Sequence, residues 1–435
     1  MITYDISPAV LCRAAALPTG RRLARGKTPA LLWVFAAWLG FAAAFAASAV
    51  AAERKDAVLS FAAAYGELLR QFPEAEQGLG IDRGGPEGAV ADQPMTYGLI
   101  LSAEALRCRT QPDGEAKRRV RLAARWLLDN SRLAEGGKPG WGLPFAWNER
   151  PKNTAYTITT AIALEGLLDA LTLRELWSAA ESREIVELVR QVGERWCMEV
   201  WVDGLGGGYF NYSPHDTKPG YLCINAPAMF VGALARFVHE QGQFLPADTV
   251  RLFRSRLDAF VQTAIGTGTL RGGAPYWDYI APPNNPVKFQ RPNDLVHQAY
   301  IIWGLENYRE AGGSVKLPWT QAQALESMDR FWKDGTLRFF AQDEATVKQS
   351  SREAPANLWG AGMLLASYAR WGSPEQSQRC FTAICEAYGP FPRMRVLPRA
   401  VSEDGQFYPR DNAHVLFGLA YAAYGAKAGS AGKPR

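Results

Sequence analysis

Six times along this chain, a polar residue that follows an aromatic-rich loop opens an apolar, glycine-containing helical segment. These residues are Thr96, Thr154, Asn225, Asp294, Asn357 and Asn412, spaced 58, 71, 69, 63 and 55 residues apart. Recurrence on that scale means stacked supersecondary units, and it constrains the fold before any single motif does. Between them lie six segments with charged faces, over residues 55–72, 115–130, 182–200, 248–265, 320–333 and 374–388. In residues 117–128 the apolar side chains share one stripe and the arginines lie opposite, the pattern of a helix with one face in water. The segments opening at Thr154, Asn225 and Asn412 carry almost no charge, and a helix apolar all round is buried all round. Gly166, Gly232, Gly304 and Gly418 fall inside such segments, where glycine costs about 1 kcal/mol against alanine. Their recurrence predicts close helix–helix approach. Twelve helices alternating outer and inner predict an all-α (α/α)6 toroid, with every loop before an inner helix on one face.

Those loops pair glycine with aromatics. They include Gly140-Trp-Gly-Leu-Pro-Phe-Ala-Trp147, Gly206-Gly-Gly-Tyr-Phe-Asn-Tyr212, Gly272-Gly-Ala-Pro-Tyr-Trp-Asp-Tyr279, Arg338-Phe-Phe340 and Gly405-Gln-Phe-Tyr-Pro-Arg410. Alternating aromatics bounded by Gly and Pro predict short β-hairpins there. The same loops would gather residues distant in sequence into one funnel.

The ends read differently. Residues 1–52 hold Arg13, Arg21, Arg22, Arg25 and Lys27, then an uncharged run from Ala30 to Ala52 that closes in small residues. That describes a secretory signal. The run also exceeds the 20 or so apolar residues that span a bilayer, so a retained inner-membrane anchor is the alternative. Either predicts export to the periplasm or beyond. Residues 53–427 are expected to form the toroid, and 428–435 a disordered tail. Without the first 52 residues, the body carries 43 basic and 42 acidic residues, which leaves no basic stripe for nucleic acid. No C-x-x-C occurs among the cysteines, and Cys197 with Cys223 is the one pair considered for a disulfide. No phosphate loop, H-E-x-x-H or EF-hand motif is present, so neither cofactor nor metal is expected.

Six helical hairpins with aromatic loops resemble the (α/α)6-barrel carbohydrate enzymes: glycoside hydrolases, polysaccharide lyases and the helical domain of glucuronyl C5-epimerases. Phe407-Tyr408-Pro409 followed by His414-Val-Leu-Phe-Gly-Leu-Ala-Tyr421 is similar to the C-terminal motif of those epimerases, although Phe417 stands where that family has Asn. The Trp141–Trp147 segment resembles uncharacterised proteins of bacterial polysaccharide gene clusters. The resemblance implies a polysaccharide or oligosaccharide substrate and association with envelope polysaccharide machinery.

Histidine is scarce: His215, His239, His297 and His414. His239 sits at the far end of an inner helix and reads as a surface residue. Asp294/His297 and Asp411/His414 are i,i+3 pairs, so each can share a helix face as a carboxylate–imidazole unit. The competing reading makes both aspartates helix caps. Glycoside hydrolysis needs two carboxyl groups flanking the bond, for which Asp278, Asp294, Asp411, Glu403 and Asp404 are candidates. Asp278, between Trp277 and Tyr279, has an apolar surround that favours an acid role. Proton abstraction beside a uronate carboxyl would instead use Tyr or His, with Asn153, Asn225, Asn357 or Arg410 on the carboxylate. Trp141, Trp147, Tyr209, Tyr212, Tyr276, Trp277 and Tyr408 suit stacking on pyranose rings, and Tyr156 is among the tyrosines available as base. The sequence therefore favours glycoside hydrolysis, with Asp294 or Asp278 as acid and Asp411 as base. Uronate epimerisation or elimination, and a non-catalytic glycan-binding subunit, are the alternatives.

Overall fold

The computed structural model describes residues 55–66, 68, 80–83, 90–147, 149–216, 222–280, 292–388 and 409–425. The leader and anchor reading of residues 1–52, the tail, Glu403, Asp404 and Tyr408 lie outside them. Among the described residues no helix is long and apolar enough to cross a membrane.

Among the described residues twelve helices alternate as expected, apart from one short turn of helix at Gln349–Arg352. The outer ones are α1 (residues 55–66), α3 (Gly114–Asp129), α5 (Ala179–Arg195), α7 (Ala247–Thr267), α9 (Gln321–Asp329) and α11 (Pro374–Tyr388). The inner ones are α2 (Pro94–Thr110), α4 (Thr157–Leu171), α6 (Asn225–Gln241), α8 (Leu295–Glu310), α10 (Leu358–Trp371) and α12 (Pro409–Tyr424). Each inner helix packs on the next and α12 packs back on α2, which closes the ring. Every residue of α4 is buried, whereas α3 buries one stripe centred on Val120, Ala123, Ala124 and Leu127.

The ring is assembled from three tight pairs. A Cβ on Gly166 would sit 2.6 Å from the Gly98 carbonyl oxygen, one on Gly232 2.6 Å from that of Gly304, and one on Gly418 2.5 Å from that of Gly362. Backbones therefore touch in α2/α4, α6/α8 and α10/α12, and dispersion along those seams offsets the helical cost of glycine.

Boundaries shifted where caps and prolines decide them. α2 and α12 begin at Pro94 and Pro409, earlier than Thr96 and Asn412, because proline is pre-organised for the first turn. α5 begins at Ala179, since Ser178 and Glu181 form a capping box. α9 stops at Asp329, and a strand takes over at Trp332. Ser373 and Gln376 do form the predicted reciprocal cap of α11, at 3.0 and 3.2 Å.

Two-stranded hairpins precede four inner helices: β1/β2 (Ile81–Arg83, Val90–Asp92), β3/β4 (Trp201–Val202, Tyr209–Phe210), β5/β6 (Thr269–Arg271, Ala274–Tyr276) and β7/β8 (Trp332–Lys333, Thr336–Leu337). The Gly140 loop makes only isolated bridges, Gly142 to Ala155 and Trp147 to Arg150. All these loops lead into the N-terminal ends of inner helices. All five described cysteines are free thiols, so Cys197 and Cys223 are not joined.

Candidate active site

Three inner helices supply the centre of the site. Asp294 caps α8 and is held by an antiparallel bridge to Phe340. Its Oδ1 accepts from the His297 amide at 3.1 Å and lies 2.7 Å from His297 Nδ1. The cap and the carboxylate–imidazole pair, read from sequence as alternatives, are both present. A carboxylate on Nδ1 keeps the proton there and leaves Nε2 as the basic nitrogen. The His297 side chain retains 20% of its exposure, and Tyr279 meets its ring edge-on at 4.6 Å.

One turn further, Tyr300 lies 2.6 Å from His414 Nε2, and His414 Nδ1 lies 2.8 Å from the Arg410 carbonyl oxygen. A carbonyl only accepts, so Nδ1 carries the proton and the Tyr300 hydroxyl donates to Nε2. Complete burial pushes the His414 pKa down to about 3, so the ring is neutral. Burial also pushes the Tyr300 hydroxyl well above its ordinary range, against the pull of Arg410.

This overturns the Asp411/His414 dyad. α12 starts at Pro409, which places Asp411 within its first turn rather than at the cap. The Asp411 carboxylate accepts from Trp359 Nε1, with Arg410 Nε 3.8 Å away. Trp359 stacks on His414 at 5.4 Å, and the Arg410 guanidinium lies over the same indole, 4.4 Å from its centroid.

A second wall is aromatic. Trp147, 44% exposed, meets Tyr156 edge-on at 5.4 Å and Tyr212 at 6.1 Å, and Tyr156 and Tyr212 lie 5.7 Å apart. Arg150 lies over Tyr156 at 5.8 Å and pairs with Asp216. Tyr212 and Tyr300 both feel Arg410, and Tyr300 also feels Tyr212, which joins the wall to the histidine cluster. Asp278 stands beside Tyr279, and burial followed by the nearby Glu344 carboxylate raises its pKa, the direction expected of an acid.

Other expected binding residues are placed elsewhere. Trp141 and Trp277 are 1% exposed, and their indoles donate to the carbonyls of Leu127 and Ala264 at 2.9 and 2.8 Å. Both carbonyls lie in the last turns of α3 and α7, so the two tryptophans anchor loops to outer helices instead of stacking on sugar. Tyr209 is buried in β4, and Tyr276 is buried with Arg271 3.8 Å over its ring. Asn225 turns inward to Cys223 Sγ at 2.9 Å, and Asn357 caps α10 through the Gly360 amide at 2.8 Å. Asn153 adopts a left-handed turn (φ 63°) and lines a separate cavity. His239 is exposed at the end of α6, as expected, and His215 is half-buried with its amide on Ser213.

Sequence reasoning missed Tyr300, Trp359 and the Arg150–Asp216 pair. Tyr300 had a legible signal, because 294, 297 and 300 continue one three-residue spacing along a helix face. Trp359 had none beyond following the Asn357 cap.

No family model matches the chain, and no curated protein matches it. Solved structures do. A polysaccharide lyase aligns at 8% identity with a TM-score of 0.53, over 86% of this chain and 97% of the other. The cellobiose 2-epimerase of Bacillus thermoamylovorans aligns at 10% identity and 0.52, over 76% and 87%. An unsaturated glucuronyl hydrolase specific for heparin aligns at 10% and 0.52, over 86% and 96%. At these identities the similarity is one of fold: the chain has the (α/α)6 architecture that these proteins share.

Proposed function

We propose that this protein is a carbohydrate-active enzyme that removes a proton from a carbon beside a sugar carbonyl or carboxylate. The observation that carries this reading is the Asp294–His297 pair, with its 2.7 Å contact and partly exposed imidazole at the aromatic-walled mouth of the ring. His297 Nε2 takes the C–H proton, and the electron pair moves into the carbonyl to give an enolate-type anion. The Arg410 guanidinium, which keeps 11% of its exposure, is the cation available to that developing charge, and a fixed positive group there lowers such a barrier. Return of a proton to the opposite face gives an epimer, and loss of a β-substituent gives an unsaturated sugar. Trp147 and Tyr212 supply flat faces for the ring, with Tyr156 buried behind them.

Hydrolysis by Asp294 and Asp411 fits less well. Both carboxylates are almost fully buried, at 3% and 1% exposure, and each is tied to a neighbour's N–H. Asp278, with its raised pKa, is the observation that favours a hydrolytic acid. Among structures of this fold are a sugar epimerase, a D-mannose isomerase, a lyase and a hydrolase, so each chemistry is compatible with the scaffold. The basic leader and apolar run of residues 1–52 support action on an exported or envelope glycan, next to machinery that makes it.

The test is incubation of the full chain in deuterated water with neutral aldoses and with neutral and uronate oligosaccharides. Deuterium at carbon, lost in His297→Ala, is the expected result. New reducing ends without carbon-bound deuterium, abolished by Asp278→Asn and not by His297→Ala, would sink the proposal in favour of hydrolysis.

A further inference from the structure

Beside the aromatic wall lies a cavity of about 370 Å³, within the size range of small-ligand sites. It is lined by Trp126 of α3, Asp92 at the end of β2, Asn130 at the C-terminus of α3, and Gly142, Lys152 and Asn153 of the loop before α4. Trp126 is its aromatic surface. One face of that indole stacks on Tyr97 at 4.0 Å and 7°, and Tyr97 is fixed in turn by its hydroxyl on Asp92 at 2.7 Å. The ring is therefore held rigid while it stays partly exposed. Around it stand an exposed carboxylate, an exposed ammonium and two half-buried amides. A clamped aromatic with a mixed rim of donors and acceptors matches the apolar face and equatorial hydroxyls of a pyranose.

The position is as informative as the lining. One loop, residues 140–156, serves both places. Its Gly142, Lys152 and Asn153 line the cavity, and its Trp147 and Tyr156 form the wall of the histidine site. The bridge between Gly142 and Ala155 zips the loop's two limbs together, so the loop is the partition between them. A ligand that fills both must cross it.

We propose that this cavity is a distal subsite for one sugar of a glycan chain whose reacting sugar lies at His297. The inference rests on the function proposed above and deepens it: the substrate is an oligosaccharide or polysaccharide, not a free monosaccharide. Asn153 takes part from here, through its side-chain amide, and not at the centre.

Isothermal titration calorimetry of the full chain against cello-, manno- and oligoglucuronate series of two to six sugars tests it. Affinity is expected to rise with chain length for the series that binds. Trp126→Leu should reduce that rise by about tenfold, the scale of one lost aromatic platform. Because Trp126 also packs on Tyr97, Asn153→Gly is the second variant: it keeps the left-handed turn, removes the amide, and should also flatten the length dependence. A length dependence that survives both variants, or that is absent in the wild type, overturns the subsite, as does a wild type that binds no member of the series. His297→Ala separates the two claims. If it abolishes exchange while chain length has no effect, only the subsite fails. If length-dependent binding persists and no sugar exchanges a proton, only the catalytic reading fails.

Discussion

The Tyr300 hydroxyl donates a hydrogen bond to His414 Nε2 across 2.6 Å, and the bond joins α8 to α12 past the intervening α10. Trp359 of α10 fills the space beside it by stacking on the same imidazole. Three of the six inner helices are thereby tied together at the end where the hairpin loops converge. Tyr300→Phe would leave Nε2 buried without a donor, at a cost of about 1–3 kcal/mol. Denaturant titration should show that loss. His414→Phe in the same background should recover part of it, because the orphaned nitrogen is then gone.

The two roles of Asp294 can be separated. Asp294→Ser keeps a good N-cap for α8 and removes the carboxylate from His297 Nδ1. Thermal stability should stay close to wild type, while carbon–deuterium exchange falls by about tenfold or more as the imidazole loses its oriented tautomer. An unchanged exchange rate would show that the pair is structural only.

The folded pKa of His414, about 3, is depressed below the ordinary histidine value of about 6.5. The unfolded chain therefore binds a proton between these limits that the folded chain refuses. Stability contributed by the neutral ring is complete above about pH 6.5 and declines as pH falls toward 3. His414→Gln should make the acid limb of a stability–pH profile shallower by up to one proton. An identical slope would contradict the burial argument.

Glu306 near the far end of α8 shows the opposite sign. Burial raises its carboxyl to about 7, so the folded state loses stability as pH rises from about 4.5 through 7. Glu306→Gln should gain up to about 3 kcal/mol at pH 8, a balance that already contains the attraction of Arg309 from 3.2 Å. Comparing the two proteins at pH 5 and pH 8 gives the sign directly.

The glycine seams make a further contrast. A Cβ on Gly304 would overlap the Ala228 carbonyl, which is backbone and cannot swing away. Gly304→Ala should cost about 3 kcal/mol. Gly66, on an outer helix with nothing within 4 Å of an added Cβ, should gain about 0.5–1 kcal/mol from the same change. Both values are read from chemical denaturation.

Much of this protein is written locally. The alternation of all-apolar and one-sided helices, the buried glycines and the hairpin-forming loops all depend on periodicity within a few turns, so sequence alone determined the closed ring and the face where its loops gather. Asp294 and His297, three residues apart on one helix, were legible for the same reason. Partners chosen across space were not. His414 finds Tyr300, 114 residues away, in preference to the nearby Asp411, because helix α12 begins three residues earlier than the polar pattern indicates and turns the carboxylate toward Trp359. Trp141 and Trp277 look like sugar platforms until the last turns of α3 and α7 present carbonyls to their indoles. Which aromatic faces the basin and which seals the wall is decided by those helix-end carbonyls, which only the folded loops bring within reach of an indole.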